Sequence, residues 1–459
     1  MASLENHSAA LSDVLIPNLD FKMGNGSSYV QARTNLSIYP QGSNIYSYSS
    51  GTKVVRINVN TGEFIDPASA FLFFKVSNVD TTAQTATAIT KCEPLGQAHV
   101  FFSNARLLMQ GQVLEEISDF GRNFELLMRL SDPQYQKAMA AMSFGLQDSD
   151  PETLSDLRSV RRIPAGASKT VAMPLSIFGT FGQHRFIPTN LANIVIELQI
   201  ADPSLVCRSG TSVDGSVTTT FNSQIELSAF VLKVDGITLD SQLMEEYNKM
   251  ALTRSIPLSI KTWHSTSYSQ SGQASDVSIA YQRQLSRLCT VFVHFFSPSG
   301  SPNTLKEVNY FPHVEGQLDS LGDTGHPFAT TDVTPDEKAI TYEFTVDGKR
   351  FPSTPINTTV EAYTALVRAL GFAGQTSHSL GVGGRYYETS NFVICENFEK
   401  ILSSELSGLS LRGGSALLLH LKGLVKSGMA ETDKITKISL LVQYSAIAEL
   451  SASGVTILE

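Results

Sequence analysis

The chain has 459 residues and a mass of 49.8 kDa, with 42% hydrophobic and only 17% charged residues, room for roughly three ordinary domains or two large β domains at about 150 residues each. Soluble domains usually carry about 25% charged residues, so disorder is excluded for most of the length and much of the nominal surface is expected to be covered by other chains. A net charge of −9 argues against wrapping a bare polyanion as the main task, and apolar runs such as Ala70–Val76 and Ala416–Leu421 fall far short of the roughly 18 residues of a membrane span.

Residues 1–35 are predicted to be a polar N-terminal arm. It contains Gly24-Asn25-Gly26-Ser27-Ser28, and its charges, Glu5, Asp13, Asp20, Lys22 and Arg33, sum to −1, so it lacks the polybasic character of a genome-condensing tail. Met1 to Asp20 holds no basic region followed by an apolar one, which predicts cytosolic synthesis without a secretory signal. The sequons at Asn6, Asn25, Asn35 and Asn357 therefore carry little weight.

Beyond the arm the chain breaks into short β segments separated by Gly, Pro, Ser and Asn. Lys53–Val59 alternates like a half-buried strand, and Ala70–Val76 has the pattern of a strand buried on both faces. Further strands are predicted over His99–Met109, Ser168–Pro174, Asn193–Ile200, Ile225–Val234, Ile256–Trp263, Val277–Ala280 and Leu288–Phe296. The last third adds Ile340–Val346, Phe392–Cys395, Ala416–Val425 and Ile435–Ile447. Many short strands with turn signals between them indicate sandwiches or barrels rather than βαβ units.

Three segments carry a helical period. Glu115–Leu130 places Ile117, Phe120, Phe124, Leu127 and Met128 on one face; Asp240–Leu252 does so with Leu243, Tyr247, Met250 and Ala251. The third opens with the capping-box pattern Thr358/Glu361 and runs through Val360, Tyr363, Val367 and Leu370 to Gly371. Core packing accounts for all three stripes. Asp132–Gly166 and Ser297–Lys338, rich in Pro, Gly and Asp, are predicted to be long loops that project from the domains and form contacts.

The order of elements occurs twice. A buried strand (Ala70–Val76), a strand ending in a Gly turn (Arg106 to Gly111) and a helix ending at Leu130 are matched by Leu288–Phe296, Thr341 to Gly348 and the helix ending at Leu370. Phe73 to Val293 is 220 residues, Leu198 to Leu419 is 221, Ile225 to Ile438 is 213 and Gly111 to Gly348 is 237. A repeat this long exceeds any solenoid unit and indicates a duplicated domain. The expected fold is all-β: two tandem eight-stranded jelly rolls with a few short inserted helices. The first roll is placed at 36–240 and the second at 241–459, with a connector helix over 241–252.

Chemistry is hard to find. Cys92, Cys207, Cys289 and Cys395 lie 115, 82 and 106 residues apart, matching neither a zinc motif nor a disulfide scaffold, and are read as buried small hydrophobes. Gly381-Val382-Gly383-Gly384 leads into a strand, so it lacks the helix N-terminus that holds a phosphate. Glu115/Glu116 and Glu245/Glu246 are read as solvated helix faces. His313 and His326, in a loop, are the only histidine pair that suggests a metal, while His99, His294 and His420 fit hydrogen-bonded positions inside apolar strands. Arg158, Arg161 and Arg162 form one basic cluster, read as a solvated loop or an inter-subunit ion pair. With no nucleophile elbow, phosphate loop or Cys/His constellation, no enzyme activity is assigned, and no catalytic, cofactor-binding or metal-ligating residue.

Met173-Pro174-Leu175-Ser176-Ile177-Phe178-Gly179, then Arg185-Phe186-Ile187-Pro188 and Ile194–Ile200, resemble the late strands of the first roll in double jelly-roll major capsid proteins of double-stranded DNA viruses. Asp347-Gly348-Lys349-Arg350-Phe351-Pro352 leading into Glu361–Leu370, and Leu409-Ser410-Leu411-Arg412-Gly413-Gly414 leading into Ala416–Leu421, resemble that family's second roll. The resemblance spans most of Ser37–Tyr444 and is to the Polinton-like and adenovirus-type lineage. It implies a homotrimer forming a pseudo-hexameric capsomer that tiles an icosahedral virion shell. The implied partners are other copies of the chain, minor and penton capsid proteins, and an internal membrane or the genome at the inner face. Low charge and an absent active site suit such an assembly protein. The second reading, a monomeric carbohydrate-binding β-sandwich, would use exposed aromatics such as Tyr386, Tyr387 and Trp263; these are placed first in core or interface positions.

Overall fold

The computed structural model describes residues 30–49, 51–144, 162–191, 193–214, 216–269, 276–296, 341–371, 380, 387, 392–401, 406–424, 435–451 and 454–458. Sixteen principal strands form two sets of eight. The first set is β1 (Val30–Ile38), β2 (Val54–Val59), β3 (Phe64–Asn78), β4 (Phe102–Met109), β5 (Gln112–Ser118), β6 (Ser168–Pro174), β7 (Ile194–Ile200) and β8 (Ile225–Leu239). The second is β9 (Ile256–Ser269), β10 (Val277–Tyr281), β11 (Leu288–Phe296), β12 (Thr341–Val346), β13 (Lys349–Ile356), β14 (Ile394–Asn397), β15 (Leu417–Lys422) and β16 (Lys437–Ser451). Short extra strands decorate the first set, among them a small sheet that includes Ala88–Cys92 and Val217–Asn222.

Each set folds as a two-sheet sandwich. In the first, antiparallel sheets run β1-β8-β3-β6 and β2-β7-β4-β5; in the second, β9-β16-β11-β14 and β10-β15-β12-β13. Adding eight to every strand of the first order gives the second. This is the strand order of a jelly roll, made twice. The paired segments read from the sequence occupy equivalent places: β3 and β11, β4 and β12, β7 and β15, β8 and β16. Even the hairpins agree. Gln110-Gly111 and Asp347-Gly348 both have positive φ, at 51° and 81° and at 50° and 73°, the two-residue turn whose twist matches its flanking strands.

Two apolar cores fill the sandwiches. One includes Leu72, Phe74, Leu107, Ile196 and Leu232; the other includes Val291, Phe344, Leu419 and Leu440. Side chains alternate in and out along the strands, as a two-sheet core requires. β3 shows it: Leu72, Phe74 and Val76 are buried, whereas Phe71 and Phe73 are only half covered and the Lys233 ammonium sits 5.2 Å from the Phe73 ring. The expectation of burial on both faces is corrected accordingly.

Among the described residues, four helices are longer than one turn: α1 (Phe120–Leu130), α2 (Pro133–Met142), α3 (Ser241–Thr253) and α4 (Thr359–Ala369). The connector helix is α3, where the Asp240 side chain accepts from Gln242 N. α4 starts as its capping pattern requires, with Glu361 N donating to Thr358 Oγ1 at 3.2 Å.

Several expectations change. The arm to residue 35 ends in structure, because β1 begins at Val30 and pairs with β8. The stripe starting at Glu115 is not one helix: Gln112–Ser118 is β5, Asp119 turns the chain with φ of 48°, and the helix starts at Phe120. Strand and helix happen to bury Ile117, Phe120 and Phe124 in succession, which imitates a helical period. The predicted strand at His99 begins instead as a turn of 3-10 helix over Ala98–Phe101. Asp132–Gly166 opens with α2, and residues 145–161 lie outside the described residues, as do Ser297–Lys338, Gly381–Gly384, His313 and His326. β13 has no counterpart among the predicted strands because Pro352 and Pro355 lie inside it. Prolines are tolerated there because β13 is a sheet edge.

Candidate functional site

The two rolls share one sheet. β5, the last strand of β2-β7-β4-β5, lies beside β9, the first of β9-β16-β11-β14, in a parallel contact registered at His264 and Glu116. Around this contact stands a set of polar and apolar ties that no single segment of the sequence announces.

The central tie is Glu115. Its Oε2 accepts from Gly179 N at 2.7 Å and its Oε1 from Thr180 N at 2.8 Å. The hydroxyls of Thr180 and Thr262 donate to the same carboxylate. Glu115 is buried. Burial pushes its carboxyl above the ordinary range, and the donors from Thr180, Thr262 and Gly179 oppose that shift. This overturns the reading of Glu115/Glu116 as a solvated helix pair, which holds for Glu245/Glu246, both exposed on α3 near Lys249. Three elements meet at one side chain: β5 of the first roll, the turn after β6, and Thr262 on β9 of the second. The turn approaches closely because Gly179 has no side chain; a Cβ there would lie 2.6 Å from the Lys261 carbonyl carbon and inside its oxygen.

Further ties flank it. Lys437 Nζ contacts Asp119 Oδ2 at 2.6 Å. From α1, Leu126 and Leu130 enter the core of the second roll. His294 Nε2 meets Asn123 Oδ1 at 2.9 Å, and because Asn123 Nδ2 donates to Ser118 O, the histidine is the donor. Burial lowers the His294 pKa to about 3, with Asp119 raising it and Arg122 and Lys437 lowering it. An imidazole kept neutral in the folded state stabilises fully above its unfolded pKa near 6.5 and loses that contribution as pH falls toward 3. Relative to His294→Gln, the native chain should therefore lose about 1.4 kcal/mol per pH unit below about pH 6.5, read from urea midpoints between pH 7.5 and 4.5. A constant difference across that range would show that His294 protonates while folded.

The other singled-out residues take ordinary places. His99, stacked on Phe124, meets Glu125 at 3.1 Å, and His420 meets Ser278 at 2.9 Å. Arg162 pairs with Glu93 at 3.2 Å, within the chain; Arg158 and Arg161 lie outside the described residues. All four cysteines are buried and free. Tyr387 is buried with its hydroxyl donating to Val393 O, and Trp263 packs on Phe292 at 5.9 Å; neither is an exposed platform, and Tyr386 lies outside the described residues. No group of three His, Cys, Asp or Glu that could hold a metal occurs among the described residues.

Phe351, in the motif that leads into α4, packs edge-on against Phe398 at 5.4 Å. Phe351→Asp places a carboxylate on that ring contact and should cost about 2 kcal/mol, impairing folding or oligomer formation, as should Pro352→Asp. Assembly and melting unchanged in either variant would show that this part of β13 is not packed as described.

No protein-family model matches the chain, and no curated protein sequence does. Solved structures do match in fold. PBCV-1 VP54, as fitted into a cryo-EM reconstruction of the virophage Sputnik, aligns with a TM-score of 0.59 at 11% identity over 96% of this chain and 99% of that one. The Faustovirus major capsid protein gives 0.57 at 9% identity, over 96% and 93%. The mavirus major capsid protein gives 0.51 at 10%, over 98% and 93%. At these identities the likeness is one of fold, end to end through both rolls.

Proposed function

We propose that the chain is a major capsid protein that trimerises into a pseudo-hexameric capsomer of an icosahedral virion shell. The observation that carries this reading is the doubling: two rolls of identical strand order, fused through a shared sheet, in an arrangement that matches named major capsid proteins over nearly the full length of both chains. Two like rolls per chain and three chains per particle give six like units around a ring, so one chain can occupy a hexagonal lattice with threefold symmetry. The division we propose places the first roll from Val30 through β8, the second from β9, and α3 as the connector. The function so inferred has no catalytic centre and resides in surfaces.

In such a shell the partners are other copies of the chain, minor and penton capsid proteins, and a membrane or genome at the inner face. The chain would be made in the host cytosol and act in the virion. Absolute mass by light scattering tests the reading. The expected value is about 150 kDa, three times the 49.8 kDa chain. A protein that stays monomeric on concentration would overturn it and turn attention to glycan binding.

A further inference from the structure

Because the two rolls have the same strand order, each presents the same set of edge strands, and the junction inside the chain uses one edge of each. β5 of the first roll meets β9 of the second, and a cleft beside α1 is walled by Ser259, Lys261 and Trp263 of β9. The equivalents of these two edges are β13 on the second roll and β1 on the first. β13 pairs only with β12, and β1 only with β8, among the described residues.

The cleft is repeated as well. β13, α4 and β14 enclose about 440 Å³, with Thr354, Val360, Thr364, Arg368 and Glu396 on the wall, and every lining residue belongs to the second roll. What β9 supplies to the first cleft is missing from this one. Val360 faces it and is 75% exposed. On the first roll, β1 is exposed at five consecutive residues, Gln31–Asn35, and Tyr39 just beyond is 69% exposed. Its counterpart β9, beside β5, instead buries Leu258, Ile260 and Thr262. An edge strand this open is a template for pairing with another chain.

We infer that β1 of a second copy occupies the β13–α4 cleft, running beside β13 as β9 runs beside β5, so that copies join head to tail through a junction repeating the one inside each chain. The inference rests on the capsomer reading and names the contact that closes its ring. A head-to-tail contact closes or grows into a filament according to its rotation. If the junctions within and between chains are alike, the rotation from roll to roll is uniform, and a rotation of one sixth of a turn, as the capsomer reading requires, closes six rolls after three copies.

Cysteine pairs test it in the full chain. Val360→Cys is combined with Thr34→Cys, Ser37→Cys or Tyr39→Cys, each at an exposed position, while the native cysteines are all buried. After mild oxidation, at least one pair should give covalent dimers and trimers on a non-reducing gel, with a ladder stopping at three, while the single variants run as monomers. A protein that is trimeric by light scattering but cross-links in none of the three pairs would overturn the junction and leave the capsomer reading standing. A ladder extending beyond three would overturn ring closure. A native chain that is monomeric by light scattering would remove the capsomer reading and this inference with it.

Discussion

Gly179→Ala is expected to destabilise the chain by about 3 kcal/mol, the upper end of what overpacking a tight site costs. The added Cβ would fall inside the Lys261 carbonyl oxygen and 2.6 Å from its carbon, with Ile260 Cγ2 at 2.9 Å. The obstacle is mainly backbone, and it is the backbone of β9, which pairs along its length with β16. Relief must come from moving the Gly179 turn, which displaces the two amides that donate to Glu115, or from parting the rolls, which withdraws the Thr262 hydroxyl. Gly51→Ala is the control: nothing lies within 4 Å of its would-be Cβ, so the change should stay within about 0.5 kcal/mol. Urea unfolding of both variants decides the matter, and equal midpoints would mean that the two rolls do not meet at Gly179.

Glu115→Ala is expected to cost about 3–5 kcal/mol, because the partners it leaves behind are buried donors and not merely lost contacts. Two backbone amides and two threonine hydroxyls converge on this carboxylate. The hydroxyls can rotate toward other acceptors; the amides cannot. Glu115→Gln keeps the shape but presents an amide group to donors at one of its two positions, so about half the loss is expected. Because the carboxylate ties β5, the Gly179 turn and β9, unfolding of the alanine variant should broaden or split as the rolls lose their coupling. A sharp transition at the native midpoint would show that Glu115 is not the tie between rolls.

The fold was legible because its signals are local and repeated. Alternation marked most strands, Gly turns marked the hairpins, and the recurrence of the same order some 210–240 residues later marked the duplication. The errors share one cause: position in a sheet is set by the partner strand, which one sequence does not display. β13 contains two prolines and is absent from the predicted strands, yet an edge strand has a free side where a missing N–H costs nothing. β1 reads as an arm because β8 covers it on one side only. Glu115 is the clearest case. Beside Glu116 it has the composition of a solvated face, and what buries it comes from Gly179, Thr180 and Thr262, which lie 64 to 147 residues away. Gly179 itself stood inside a motif singled out by resemblance, but its reason, the close approach of Lys261, exists only in three dimensions.

The same dependence on partners bears on the surfaces. A chain with 17% charged residues leaves open edges and exposed apolar side chains such as Tyr39, Val360 and Leu252. Scattered singly, such residues need no explanation. Tyr39, just beyond β1, and Val360, in the β13–α4 cleft, fall where the next copy is expected.

Two-dimensional class averages of the purified soluble particle should show a threefold ring of six similar lobes, two from each chain. Isolated particles of two lobes would contradict the capsomer reading.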